Sequence, residues 1–391
     1  MAKPHPSPSI EVESPVHRAA RLGEEFALTA GAHDRAASFP RANFDRLAQE
    51  GLLALNAPQR FGGHARGLED AVAVIRDIAQ GEPSTALVLA MHYIHLATAA
   101  RSWPAAWAER LGREAATGIS LINALRVEPA LGTPARGGLP ATVARRTANG
   151  WSLSGHKIYS TGIPILSWLA VWARTEGPDP RVGTFLVPGG TPGIEVRESW
   201  NQLGMRASAS HDVILRDVAI PADHAVDIRA PAAWHPQDPT VYAWNTLLVA
   251  AVYHGIALAA RQWFLRFLQT RAPANLGAPL ASLPRFQEAA GEIETLLDVN
   301  ERLLRSAARD ADEGHPPRLT ESGQIKLTVT SQAIAAVETA VRLSGNPGLS
   351  TEEPLERHFR DVVCGRIHTP QDDSVRIASG RLALDLEAPV P

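Results

Sequence analysis

QLGMRASASHDVILRDVAIP, residues 202–221, is the stretch on which the reading of the fold turns. Its second half, HDVILRDVAI, carries Val213, Ile214, Val218 and Ile220 and reads as a strand. Before it stand similar segments: ATVARRT, WSLSGHKIYS, SWLAVWART, VGTFLVP and GIEVRES. Turns such as ANG, EGPDP and PGGTPG separate them. Residues 121–228 are therefore expected to form an antiparallel sheet of several strands, closed or sandwiched.

Working outward, both flanks change period. FDRLAQEGLLAL (44–55) and LEDAVAVIRDIAQ (68–80) place apolar residues at helical spacing, with a Pro/Gly loop between them. TALVLAMHYIHLATAARSW (85–103) is apolar nearly all round and should be buried. Beyond the sheet come four long helical patterns, at 246–270, 283–314, 322–345 and 372–386. Short links between them fit an antiparallel bundle. The expected class is α+β, with residues 1–15 a loose tail, 16–120 an N-terminal helical domain, 121–228 the β domain and 229–391 a C-terminal four-helix bundle.

Composition narrows the function. A net charge of −3 lacks the basic footprint of a nucleic-acid binder. No long uninterrupted apolar run suggests a membrane span. The single cysteine, Cys364, excludes an internal disulfide and fits a reducing cytoplasm, where it reads as a small buried hydrophobe. No CxxC or HExxH spacing calls for a metal.

The order of elements, with four stretches in sequence, resembles the acyl-CoA dehydrogenase superfamily of flavoproteins over about residues 20–388. The stretches are RVEPALGTP (126–134), GHKIYSTG (155–162), residues 202–221, and GNPGLSTEEPLERHFRD (345–361). The resemblance implies FAD, with FMN the alternative. It sets Tyr159 and Thr161 against the flavin; their alternation along a strand would turn both to one face. Val127 stands where the family has a threonine that touches the flavin, leaving only its backbone to donate. Thr133 keeps a hydroxyl where the family has a serine. Arg271 matches an arginine that reaches the pyrophosphate across a subunit interface. Gly345 and Gly348 match a loop that approaches the adenine half, while Arg342 replaces a common glutamine. Gln371 replaces a flavin-contacting threonine. A site shared between subunits implies a homotetramer or homodimer.

Removing a proton α to a thioester carbonyl needs a base, ordinarily a glutamate. Eight residues after Asp361, where the family places it, stands Thr369. The alternative family position, on the first long helix of the bundle, is close to Asn245. Asp372 and Asp373 could substitute, but read better as N-terminal charges on the following helix. This pattern resembles the superfamily's oxygenating branch, flavin monooxygenases that use O2 on an amine, phenol or sulfur compound and receive electrons from a separate flavin reductase or electron-transfer protein. That branch uses histidines at the loop and on a helix preceding the sheet, which maps to His368 and to His92 or His95, with a weaker match at Asn123. Two alternatives stand beside it: an acyl-CoA dehydrogenase with a non-standard base, and a non-catalytic flavin-binding scaffold.

Overall fold

The computed structural model describes residues 13–130, 138–234 and 237–386. Five helices come first: α1 (Pro15–Ala36), α2 (Arg41–Gln49), α3 (Leu68–Gly81), α4 (Pro83–Ser102) and α5 (Ala105–Thr117). Among the described residues eight strands follow: β1 (Leu121–Leu125), β2 (Val143–Thr147), β3 (Gly150–Ser160), β4 (Leu166–Thr175), β5 (Val182–Pro188), β6 (Ile194–Arg197), β7 (His211–Pro221) and β8 (Ala225–Arg229). The chain then returns to helix with α6 (Pro239–Thr270), α7 (Pro284–Asp312), α8 (Leu319–Ser344), α9 (Pro354–Val362) and α10 (Asp372–Ala383). The α+β order of helices, sheet and helices is the expected one.

Several helices start the same way, with a proline in the first turn. Ser14 caps α1 by accepting from the His17 amide, ahead of Pro15. Helix α1 thus begins inside the expected tail. Glu82 caps α4 ahead of Pro83, and Asp238 caps α6 ahead of Pro239. Proline lacks the N–H that a first helical turn leaves unpaired, so it marks the start without losing a bond.

The strands run in the order β6-β7-β3-β2-β4-β5-β8, and β1 joins β4. Most pairings are antiparallel. Two are parallel: β1 along Leu166–Val171 of β4, and a short contact of β2 with Arg174 and Thr175. Sequence reasoning missed β1 and β8. LINAL (121–125) is too short an apolar run to declare its period. Both complete the sheet beside strands that were read correctly.

The C-terminal region holds a fifth helix, α9, where a glycine loop and a charged run were expected. It packs between α6 and α8, burying Leu355, His358 and Val362. Helix α10 contacts α8, and Ile377 and Leu382 on it are more than half exposed. Helix α6 is long and apolar enough to span a membrane by length and composition, but 83% of its most apolar window is buried inside the fold. It is the central core helix, touching α3, α4, α7, α8 and α9. One large apolar cluster joins these helices to the inner face of the sheet.

Candidate functional site

The first half of the site is built where β1 and β3 end. Glu128 and Lys157, both buried, pair at 2.6 Å. The carboxylate also accepts from the Ala141 and Thr142 amides and from the Thr142 hydroxyl. Lys157 donates a second bond to the Trp172 carbonyl. Burial pushes the ammonium down to about 8 against the pull of Glu128. A satisfied buried pair fixes register. Here it locks the residue after Val127 to the residue two before Tyr159. The Ile158 amide, donating to the Val127 carbonyl at 3.0 Å, closes the same junction.

Tyr159 and Thr161 do not follow the simple alternation expected of them. Tyr159 has φ of 58°, in the left-handed region, and the β3–β7 register slips between Lys157 and Ser160. Thr161 lies just past the strand's end. Tyr159 is 54% exposed at this break. Its edge-to-face contact is with Trp200, ring centres 6.2 Å apart. The Thr161 hydroxyl accepts from Ser210 Oγ at 3.0 Å, so its own proton is left to donate.

Asn123 holds this corner together. Its Nδ2 donates to the Thr161 carbonyl at 3.0 Å and its Oδ1 accepts from the Ala124 amide at 2.7 Å. Its side chain also neighbours His95 on α4 and favours that ring's protonated form. Burial, with the charges of Arg126 and His92, pushes His95 down to about 3.

His92 is a core residue, contrary to the expectation of a catalytic role. It is 1% exposed, its Nε2 donates to the Leu53 carbonyl at 2.9 Å, and its Nδ1 accepts from the Ile122 amide at 3.2 Å. Both ring nitrogens are spent joining α4 to β1 and to the turn before α3. Of the two histidines weighed on this helix, His95 is the one connected to Asn123 and Thr161.

The second half is the loop between Gly365 and Asp372. Tyr253 of α6, buried, meets His368 through its hydroxyl and Nδ1. Burial keeps the phenol protonated far beyond its usual range. The hydroxyl therefore donates to Nδ1, and the imidazole carries its proton on Nε2. Burial, then the nearby Lys326 charge, pushes His368 down to about 4. Asn245 of α6 donates to the Thr369 carbonyl at 3.5 Å. Asp372 lies 3.7 Å from the buried Lys326 ammonium, which accounts for its charge without a catalytic role.

Residues 203–210 bridge the two halves. Ser208 accepts from the Gly162 amide through its carbonyl and shares hydrogens with Ser210. A few residues earlier, the Met205 amide donates to the Asp361 carboxylate at 2.6 Å, and the Leu203 carbonyl accepts from Arg360. Burial pushes Asp361 up to about 7. Arg360 is held by Asp34 and Glu356, which raise its affinity for a proton further. The Arg-Asp pair is thus an anchor for the bridge.

The remaining expected residues are dispersed. Gly345 ends α8 with φ of 65°, which favours glycine, and an added Cβ would meet nothing. Gly348 is needed internally, since a Cβ there would sit 1.9 Å from Ser344 Oγ. Arg271 caps α6 with its side chain exposed. Gln371 precedes α10 as its N-cap residue, in extended backbone. Thr133 lies outside the described residues. Sequence reasoning overlooked Tyr253 and Lys326. Each is a buried polar residue in an apolar helix, and that was the available signal.

Comparison with known proteins agrees with this architecture. Models of the acyl-CoA dehydrogenase N-terminal, middle and C-terminal domains match residues 17–102, 127–218 and 247–372. The putative acyl-CoA dehydrogenase YdbM of Bacillus subtilis (strain 168) is 31% identical over 360 residues, covering 91% of this chain and 92% of that protein. The amino sugar nitrososynthase DnmZ of Streptomyces peucetius is 28% identical over 353 residues, covering 86% and 84%. A structure of KijD3 in complex with FMN and dTDP-3-amino-2,3,6-trideoxy-4-keto-3-methyl-D-glucose superposes with a TM-score of 0.84 at 28% identity, covering 96% of this chain and 94% of that one. Matched along nearly its whole length, the chain belongs to the acyl-CoA dehydrogenase family. Its relatives are oxidoreductases, both dehydrogenases and nitrososynthases among them.

Proposed function

We propose that the protein is a flavin-dependent monooxygenase working on a small organic substrate, an amine being the favoured class. The observation that carries this reading is the pairing of Asn245 with Thr369. These are the two positions where the family's base was sought, they adjoin one another, and neither can take a proton from carbon near neutral pH. The likeness to DnmZ and KijD3 supports the amine.

The residues present fit a flavin. An isoalloxazine ring needs an aromatic or apolar wall and donors at its polar edge. Tyr159 offers a half-exposed aromatic face held by Trp200, and Thr161 offers a hydroxyl proton. In the proposed arrangement the Val127 backbone and Gln371 complete the ring's surroundings. Gly345 and Gly348 lie along the adenine half, and Arg271 reaches the pyrophosphate of a neighbouring protomer in a homotetramer or homodimer. FAD is the proposed cofactor, with FMN the alternative that KijD3 favours. Heat release of the flavin and chromatography against both standards decides between them.

Bound and reduced, a flavin supplies two electrons with which O2 gives one atom to the substrate and the other to water. The chain's own contribution is positional. Tyr253 holds His368 Nδ1, so Nε2–H points its single proton outward from that bond as a donor. Asn123 orients His95 and braces the Thr161 carbonyl. Burial, with the nearby cations, keeps both imidazoles neutral at pH 7. Electrons would come from a separate flavin reductase or electron-transfer protein, in the cytoplasm.

Stopped-flow mixing of the anaerobically reduced flavoprotein with oxygenated buffer tests the reading. A transient spectrum distinct from oxidised and reduced flavin is expected. Direct return to the oxidised spectrum, with stoichiometric hydrogen peroxide, overturns it. The likeness to YdbM favours a second reading, an acyl-CoA dehydrogenase with another base. Anaerobic bleaching of the flavin by any member of an acyl-CoA series would establish that one instead.

A further inference from the structure

We propose that Lys326 is the positioning residue of the loop that carries His368 and Thr369, one buried ammonium gripping both ends of that loop. Its Nζ donates to the Gly365 carbonyl at 2.8 Å, where the chain leaves a short 3-10 turn. The same Nζ lies 3.7 Å from Asp372 Oδ1, where the chain enters α10. Lys326 is fully buried on α8, which also reaches the loop through an exposed ion pair of Glu338 with Arg366 at 3.2 Å. An ammonium has three protons and no acceptor capacity, so it can bridge a carbonyl and a carboxylate at once.

The grip reaches His368 through Tyr253. Gly365 packs on the tyrosine ring so closely that an added Cβ would lie 3.2 Å from its Cγ. Lys326 therefore pulls Gly365 onto the ring whose hydroxyl meets His368 Nδ1. Asn245 adds the third tie, at Thr369. The titratable groups around the imidazole are Tyr253 from α6, Lys326 from α8 and Asp372 from α10. Cys364 and Asp361 act on Tyr253, both favouring the protonated phenol. The Lys326 charge lies near His368 and favours the neutral ring. The inference concerns loop geometry and stands whether the redox partner is oxygen or a thioester.

The test is NMR of the full-length flavoprotein with 13C/15N-labelled histidine, the His368 signal being assigned from an H368Q variant. In the wild type, the 15N shifts of His368 should be those of a single Nε2–H tautomer. In K326M its titration should move up by about one unit, tenfold in proton affinity, with the tautomer signature lost. K326R should restore the low titration. Folding of each variant is checked by circular dichroism. An unchanged His368 titration and tautomer in folded K326M overturns the proposal. If K326M does not fold, D372N carries the test, because it keeps the ammonium and releases one end of the loop. Loss of the single-tautomer signature in D372N is expected, and its retention overturns the proposal.

Discussion

Asn245 on α6 hydrogen-bonds the main chain of Thr369, 124 residues later in the chain, across 3.5 Å. An amide and a hydroxyl thus occupy the neighbourhood in which a dehydrogenase of this family would keep a carboxylate. The carboxylate that follows them on the loop, Asp372, lies 3.7 Å from the buried Lys326 ammonium, and this changes what can be asked of the enzyme.

Acyl thioesters should not reduce the bound flavin. Under anaerobic conditions, its visible absorbance is expected to stay constant with C4 to C16 acyl-CoA substrates. Asn245→Ala removes one modest hydrogen bond worth about 1 kcal/mol and should slow oxygen-dependent turnover less than tenfold.

His368 should act as a neutral donor. Its proton affinity is centred near 4, so the rate should be level from about pH 6 to 7.5 and decline on acidification below about 5 as the ring gains charge. His368→Ala should lower kcat about 10²–10⁴-fold. Tyr253→Phe should cost less, and its acid limb should shift because the ring loses the hydroxyl that fixes Nδ1.

His92→Leu should damage stability more than chemistry. It leaves the Leu53 carbonyl and the Ile122 amide without their partner, a loss of about 2–4 kcal/mol for two buried groups. Thermal unfolding should show that loss, while the pH dependence of turnover keeps its shape.

Lys157→Met breaks the buried pair with Glu128 and strands a carboxylate. A loss of about 3–5 kcal/mol is expected, read as a lower Tm. Flavin affinity should fall with it, since the pair joins the Val127 and Tyr159 segments.

Asp361 gives a stability profile with a definite sign. Its carboxyl is raised to about 7 in the folded chain, so the folded state holds the proton more tightly than the unfolded one. The stabilisation is complete below about pH 4 and disappears as pH rises through 7. Asp361→Asn keeps an acceptor for the Met205 amide and should flatten chemical-denaturation stability between pH 4 and 7.

The order of helices, sheet and helices was legible because long periodic segments state their own period. Short elements were not: LINAL and the nine-residue α9 are ordered by neighbours distant in sequence. Within the site, the absence of an acid at Thr369 and near Asn245 could be seen directly. The choice between His92 and His95 could not. They lie three residues apart on one apolar helix, and what separates them is the Leu53 carbonyl and Ile122 amide that reach only the first. Alternation also failed at Tyr159, since a register slip is invisible in a pattern of residue types.

The left-handed backbone at Tyr159 carries a cost that few residues other than glycine escape, about 1–2 kcal/mol. Tyr159→Gly should therefore yield a sturdier apoprotein that melts later and grips flavin more weakly. The enzyme would have gained robustness in the empty state and surrendered it in the loaded one, so heat tolerance with and without added flavin should diverge in opposite directions.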